Sequence, residues 1–141
     1  MIVLDVNVLV AAYLTGHPSY AAGRTFIREA LETGGVGVPD VVWSGFIRTV
    51  TNPVVSQPPA TGPEIRTFMD ALRRHPGYRA DVRGMISPVE SFAALCQTVG
   101  ANGNKVSDAY IAAVAIDHGA SVATWDTDFD AFPIHVIHPP K

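Results

Sequence analysis

Residues 106–129, VSDAYIAAVAIDHGASVATWDTDF, carry the pattern that decides the fold. Ser107 precedes a run of small and apolar residues at helical spacing, and Gly119 follows its end. The reading is a helix over residues 108–118 with Ser107 as its N-cap and the glycine as its stop. Directly after it, Ser121, Val122, Ala123 and Thr124 form a short β-type run. Two acids, Asp126 and Asp128, stand immediately beyond that run. A helix that feeds a strand ending in acids is half of a βαβ unit, and the rest of the chain repeats the alternation.

Ile2, Val3 and Leu4 are continuous, branched and apolar, the signal of a strand buried on both faces. A helical pattern over residues 20–32 ends at Gly34 and Gly35. Val36, Gly37 and Val38 read as a second strand, and residues 41–50 as a helix after Pro39 and Asp40. Residues 63–75 form another helix, with Pro63 at its start and Pro76 beyond its end. Gly84, Met85 and Ile86 are expected to be a third strand. Ser87 and Pro88 then open a helix that reaches about residue 99. The run 121–124 makes a fourth strand and residues 134–137 a fifth. The densest cluster of breakers, from Asn52-Pro53 through Pro58-Pro59 to Gly62-Pro63, lies between two helical patterns and reads as an internal loop. No linker splits the chain, so residues 1–141 are expected to form one domain. The class is α/β, with a mainly parallel central sheet covered on both faces. Sites in such sheets form just beyond the carboxyl ends of the strands.

Composition narrows the function. With 48% hydrophobic and 16% charged residues, the chain is globular and not disordered. Its formal charge of −3 and pI near 5.9 are not those of a general nucleic-acid binder, which carries a basic face. Any contact with RNA then depends on a local patch, a bound cation or a dimer groove. Cys96 is the only cysteine, which excludes an intramolecular disulfide and fits a reducing cytoplasm. Its apolar, helically spaced surroundings make it a buried small hydrophobe before a catalytic thiol. The opening MIVLD has no charged segment before the apolar run, so no signal peptide is expected, and no apolar stretch is long enough to span a membrane.

The acids fall where the fold rule looks for chemistry. Asp5 directly follows the first strand and Asp126 stands just past the fourth. If those strands are parallel neighbours, both carboxylates emerge on one rim. Asp108 lies at the amino end of a helix, where the dipole favours its ionised form. Gathered carboxylates repel one another, and a divalent cation removes the conflict. Mg²⁺ or Mn²⁺ suits an all-oxygen set, with Mg²⁺ keeping several of its waters. Such a cation activates water toward a phosphodiester and offsets the repulsion between an acidic site and a phosphate chain. Each acid also has a plainer reading: Asp108 as a helix cap, Asp126 as the start of a short helix, Asp128 as a solvated turn residue.

At these residues the chain resembles the PIN-domain family, and within it the VapC toxins of VapBC toxin–antitoxin pairs. IVLDVNVLVAAY is similar to the family's first motif, with Asp5 ending the strand and Asn7 two residues later. VSDAYIAAVAIDHGASVATWDTDF resembles the third and fourth motifs, with Asp108, Asp126 and Asp128 at the family's acidic positions. VPDVVWSGFIRTVTNP is similar to the second motif region, including Arg48 and Asn52-Pro53. Many members carry a Glu three residues before that Arg; this chain has Gly45, and Asp40 is the nearby acid that would compensate if it is not simply an N-terminal cap. The resemblance implies a three-layer α/β/α fold and a Mg²⁺- or Mn²⁺-dependent endoribonuclease. It further implies Asp5, Asp108 and Asp126 as metal ligands, with Asp128 supporting and Asn7 orienting the site. It implies an RNA substrate, a homodimer, and a cognate VapB-like antitoxin that blocks the site. A catalytically degenerate module that binds RNA or antitoxin without cleavage is the alternative raised by Gly45. A haloacid-dehalogenase-type phosphotransferase also begins with a strand-end Asp, but it wants a second Asp where Asn7 stands.

Around the acids, Thr124 and Ser107 border the site, and Arg48 could pair with a site acid, contact a phosphate, or be a surface charge. The five histidines form no metal pair, and His135 and His138 would face opposite ways on a strand. Arg24 and Arg28 share a helix face that reads as solvated. Trp43 and Trp125 read as packing residues.

Overall fold

The branched run at the amino end becomes the centre of the sheet. In the computed structural model of the chain, which describes residues 1–141, β1 (Ile2–Leu4) lies between β2 (Val36–Gly37) and β3 (Ser121–Ala123), and β4 (Val136–Ile137) pairs with β3. All three pairings are parallel, with Ile2 opposite Val36, Leu4 opposite Ala123, and Ala123 opposite Ile137. Val3, Leu4, Val122 and Ala123 are wholly buried, as expected of a parallel sheet covered by helices on both faces.

Between the strands come α1 (Val6–Tyr13), α2 (Tyr20–Thr33), α3 (Asp40–Val50), α4 (Gly62–Arg73), α5 (Val89–Val99) and α6 (Lys105–Asp117). The sandwich has three layers, α/β/α. α1 packs on α2 and α3, while α6 packs on β1, β3 and α5. Phe46 anchors the α1–α3–α4 side, edge-on to Tyr13 and Trp43 and stacked on Phe68. The opening of α4 follows its sequence closely. Thr61 and Glu64 form a reciprocal capping box, with a proline in the first turn.

Three features depart from the sequence reading. Residues 84–86 are not a strand. Their neighbouring backbone donors are taken by side chains of α6 instead: Asp117 Oδ2 accepts from the Ile86 and Ser87 N–H groups at 2.6 and 2.8 Å, and the Tyr110 hydroxyl lies 3.5 Å from the Met85 nitrogen. A segment tied to side chains has no ladder to join. Ser107 is not an N-cap, because α6 begins two residues earlier, with Asn104 in the cap position. Gly103, at φ +56°, turns the chain there, and the carbonyls of Asn102 and Gly103 accept from the Lys105 and Val106 N–H groups, so the helix starts without a hydroxyl. Finally, α1 follows β1 with no loop. Its sequence, VNVLVAAY, is rich in branched residues of weak helix propensity, and tertiary burial of Val8, Leu9, Ala11 and Ala12 overrides that preference.

Candidate active site

The site is built where β1 and β3 end side by side. Asp5 is the hinge between strand and helix: its N–H continues the ladder to the Ala123 carbonyl at 3.0 Å, and its Oδ1 accepts from the Val6 N–H at 2.7 Å, capping α1. One residue thus terminates a strand, starts a helix and presents a carboxylate at the rim.

Thr124, the residue after β3, is fully buried, and its hydroxyl organises this rim. It donates to Asp5 Oδ2 at 2.8 Å. It accepts from Asn7 Nδ2 at 3.0 Å and from the Asp126 N–H at 2.9 Å. Asp126 in turn accepts the Asp128 N–H on Oδ1 at 2.8 Å and caps the 3₁₀ turn Thr127–Ala131. Asp126 therefore does begin a short helix, and it does so while facing the other acids.

The electrostatics place Asp108 with this group. Burial pushes its carboxyl up to about 6, and the charges of Asp5, Asp126 and Asp128 push in the same direction, opposed only by Lys105. Asp5 is 7% exposed; burial raises its pKa, the Thr124 and Val6 hydrogen bonds lower it, and Asp126 raises it again. Four acids from three separate stretches of chain act on one another, and Lys105 offsets only part of the repulsion felt by Asp108. No three His, Cys, Asp or Glu side chains are gathered tightly enough to hold a bare ion. The donor set is nevertheless all hard oxygen, matching a cation that retains much of its water and uses one or two carboxylates directly.

Other expected participants lie elsewhere. Asp40 sits at the start of α3, in the first turn behind Pro39, and pairs with Arg83 at 3.3 Å with both side chains well exposed. It is not among the charges acting on Asp5 or Asp108, so it does not stand in for the acid missing at position 45. Gly45 is buried, and a Cβ there would meet Val6 Cγ2 at 2.8 Å, closer than two carbons approach. Val6 thus occupies the space that a side chain at 45 would need. Arg48 makes no ion pair with a site acid; Trp125 is tied to the Pro139 carbonyl at 2.7 Å.

Two contributors were hidden in the sequence reading. Thr124 borders the acids in the sequence, and a hydroxyl two residues before an acid is the signal of a supporting role. His138 forms no metal pair, yet its Nδ1 lies 2.7 Å from the Thr124 carbonyl and its Nε2 3.1 Å from Asp130. Two acceptors favour N–H on both ring nitrogens, and the Thr124 carbonyl, then Asp130, raise its pKa. The histidine braces the end of β3 from outside. A cleft of about 1260 Å³ is away from the acids, lined by residues of α1, α2 and α4 such as Tyr13, Ile27 and Phe68.

Comparison with known proteins meets this geometry independently. The family model described as PIN domain matches residues 2–134. Ribonuclease VapC25 of Mycobacterium tuberculosis is 30% identical over 142 residues, covering 99% of each chain. Ribonuclease VapC43 of the same species is 36% identical over 137 residues, covering 94% of this chain and 90% of its own. Among solved structures, VapBC2 from Rickettsia felis bound to a promoter DNA fragment contains a chain that superposes with a TM-score of 0.67 at 17% identity, covering 99% of this chain and all of that one. FitAcB from Neisseria gonorrhoeae gives 0.66 at 22% identity, covering 98% and 97%.

Proposed function

The chain belongs to the PIN domain family, and on that premise we propose that residues 1–141 act as one metal-dependent endoribonuclease domain, the toxin of a toxin–antitoxin pair. The observation that carries the reading is the Thr124 hydroxyl, which ties Asp5 to the backbone of Asp126 and to Asn7. Aligned relatives named as VapC ribonucleases over nearly the full chain support the activity, and the VapBC and FitAB architectures support an antitoxin partner.

Asp5, Asp108 and Asp126 would hold Mg²⁺ or Mn²⁺, directly or through water. A cation bound there supplies a water of lowered pKa and neutralises charge gathering on the phosphoryl oxygens. The chain's own residues do the positioning. Thr124 fixes the direction of the Asp5 carboxylate, and Asn7 fixes the Thr124 hydroxyl by occupying one of its acceptor positions. Asp128 supports Asp126 through its N–H and adds negative charge at the open side. The buried floor under Asp5 and Thr124 keeps these bonds from bulk water, which strengthens them. We further propose a homodimer, working in the cytoplasm against single-stranded or looped RNA; no helix is long and apolar enough to cross a membrane.

The test is cleavage of total cellular RNA by purified protein with Mg²⁺ or Mn²⁺, with EDTA, and by the Asp5→Asn variant. Discrete fragments that need both the metal and Asp5 are expected. Equal cleavage by a folded Asp5→Asn variant, free of contaminating nuclease, would sink the assignment. One observation favours a second reading: position 45 is glycine, and a side chain there would meet Val6 unless Val6 shifts, so the family's extra acid is missing from the site. A module that binds RNA or antitoxin without cutting would then bind Mn²⁺ weakly or not at all in a calorimetric titration.

A further inference from the structure

An acidic chain that acts on RNA must meet the phosphate backbone somewhere, and four of its ten cations are already engaged. Arg74, Arg79 and Arg83 pair with Asp70, Asp81 and Asp40. Arg24 donates to the Ala12 carbonyl and lies over the Tyr20 ring. Two of the remaining cations are on helices that border the acid cluster: Arg48 on α3 and Lys105 in the first turn of α6.

We infer that Arg48 and Lys105 form a two-point cationic rim that holds the RNA backbone across the acidic site, an assignment that rests on the proposed ribonuclease reading. Both residues are exposed, and neither side chain has a hydrogen-bond or ion-pair partner in the protein. Arg48 is aimed by what stands at position 45. A Cβ on Gly45 would lie 3.8 Å from Arg48 Nη2 and 2.8 Å from Val6 Cγ2, so the guanidinium and the Val6 side chain sit against the same point. Val6 is the residue after Asp5 and donates its N–H to Asp5 Oδ1. A Glu at 45 would have placed a carboxylate beside Arg48 and neutralised it. Gly45 leaves the guanidinium free, and Val6 packs where a side chain at 45 would begin. Lys105 is one helical turn before Asp108 and on the same face, near enough for its charge to oppose that of the other acids on Asp108. α3 and α6 touch, and each cation neighbours a site acid: Arg48 by way of Val6 and Asp5, Lys105 through its charge on Asp108. Guanidinium and ammonium groups with no internal partner are suited to phosphate oxygens, the first in fork geometry and the second as a point charge.

The experiment uses Arg48→Gln, Lys105→Gln and the double variant, each compared with the unsubstituted parent. Steady-state cleavage of total RNA gives KM and kcat. Anisotropy of a labelled single-stranded oligoribonucleotide of randomised sequence, on an Asp5→Asn background with Mg²⁺ across a KCl series, gives the salt slope. Each substitution is expected to raise KM on the order of tenfold with kcat nearly unchanged, and to reduce the salt slope by roughly 0.7 per cation removed. Melting temperatures in Mg²⁺ should move little, because neither side chain has a hydrogen-bond or ion-pair partner in the fold. A double variant with the parent's KM and salt slope overturns the rim while leaving the ribonuclease reading intact. If the parent cleaves no RNA but the Asp5→Asn protein binds the oligonucleotide through these two cations, the cleavage reading fails and the rim stands. Neither cleavage nor binding by the parent removes both.

Discussion

The Thr124 hydroxyl donates to Asp5 Oδ2 at 2.8 Å across 119 positions of sequence. The bond joins the last residue of one strand ladder to the first residue past its neighbour, and the Asp5 carboxylate owes its orientation to it. Because Thr124 is fully buried and Asp5 nearly so, neither group can exchange this bond for water.

Thr124→Val keeps the shape and removes the hydroxyl. It strands a buried carboxylate oxygen and leaves the Asn7 amide and the Asp126 N–H without their acceptor. A loss of about 1–3 kcal/mol in denaturant unfolding is expected, together with a fall in RNA cleavage, while Thr124→Ser retains most of both. Parent-like stability and activity in the valine variant would show that the hydroxyl organises nothing.

Asp108 makes the metal-free protein sensitive to pH. Its folded pKa of about 6 lies above the ordinary 3.8, so the native state holds the proton more tightly than the unfolded chain. Its contribution is therefore favourable at low pH and is lost as pH rises through the window from about 4 to 6. In EDTA, Asp108→Asn should melt higher than the parent at pH 7.5, with the gap closing as pH falls toward 4. Adding Mg²⁺ should raise the parent's melting temperature more than the variant's. A variant that melts lower than the parent at pH 7.5 in EDTA contradicts the repulsion argument.

Gly45 sets two effects against each other. In an open helix Gly→Ala gains about 1 kcal/mol, but here the new Cβ would stand 2.8 Å from Val6 Cγ2. Overpacking of that kind costs about 1–3 kcal/mol, so Gly45→Ala should be destabilising on balance. Adding Val6→Ala should recover stability relative to the sum of the single changes, and a double-mutant cycle measures the coupling. Simple additivity would mean the two side chains do not compete for space.

Asp117 holds the segment that does not become a strand. Its carboxylate accepts from the Ile86 and Ser87 N–H groups and from the Ser87 hydroxyl. Burial raises its pKa, but those hydrogen bonds outweigh it and keep the group below the usual carboxylate value. Asp117→Ala should expose the Ile86 and Ser87 amides to rapid hydrogen exchange at an overall cost of about 1–3 kcal/mol. Unchanged protection at both amides would refute the tether.

Local pattern was enough for much of the architecture. The branched run at residues 2–4, the glycines at 34, 35 and 119, and the prolines at 63 and 76 act over a few residues, and covalent neighbours carry that information. The same spacing put Asp5 and Asp126 just past strands and Asp108 near a helix start, and so named the acids before their surroundings were visible. Tertiary packing decided the rest. Only the parallel adjacency of β1 and β3 lets the Thr124 hydroxyl reach Asp5. Only burial makes a helix of the β-prone residues 6–13, and only the nearby Asp117 and Tyr110 divert residues 84–87 from a ladder. Asp40 reads along the chain either as a helix-start residue or as an acid compensating for Gly45, and its pairing with Arg83 engages it away from the acids. The physical reason is the range of the forces. Propensity, capping and turn geometry act between residues near in sequence, whereas desolvation, charge repulsion and side-chain hydrogen bonding act between residues that only the completed fold makes neighbours.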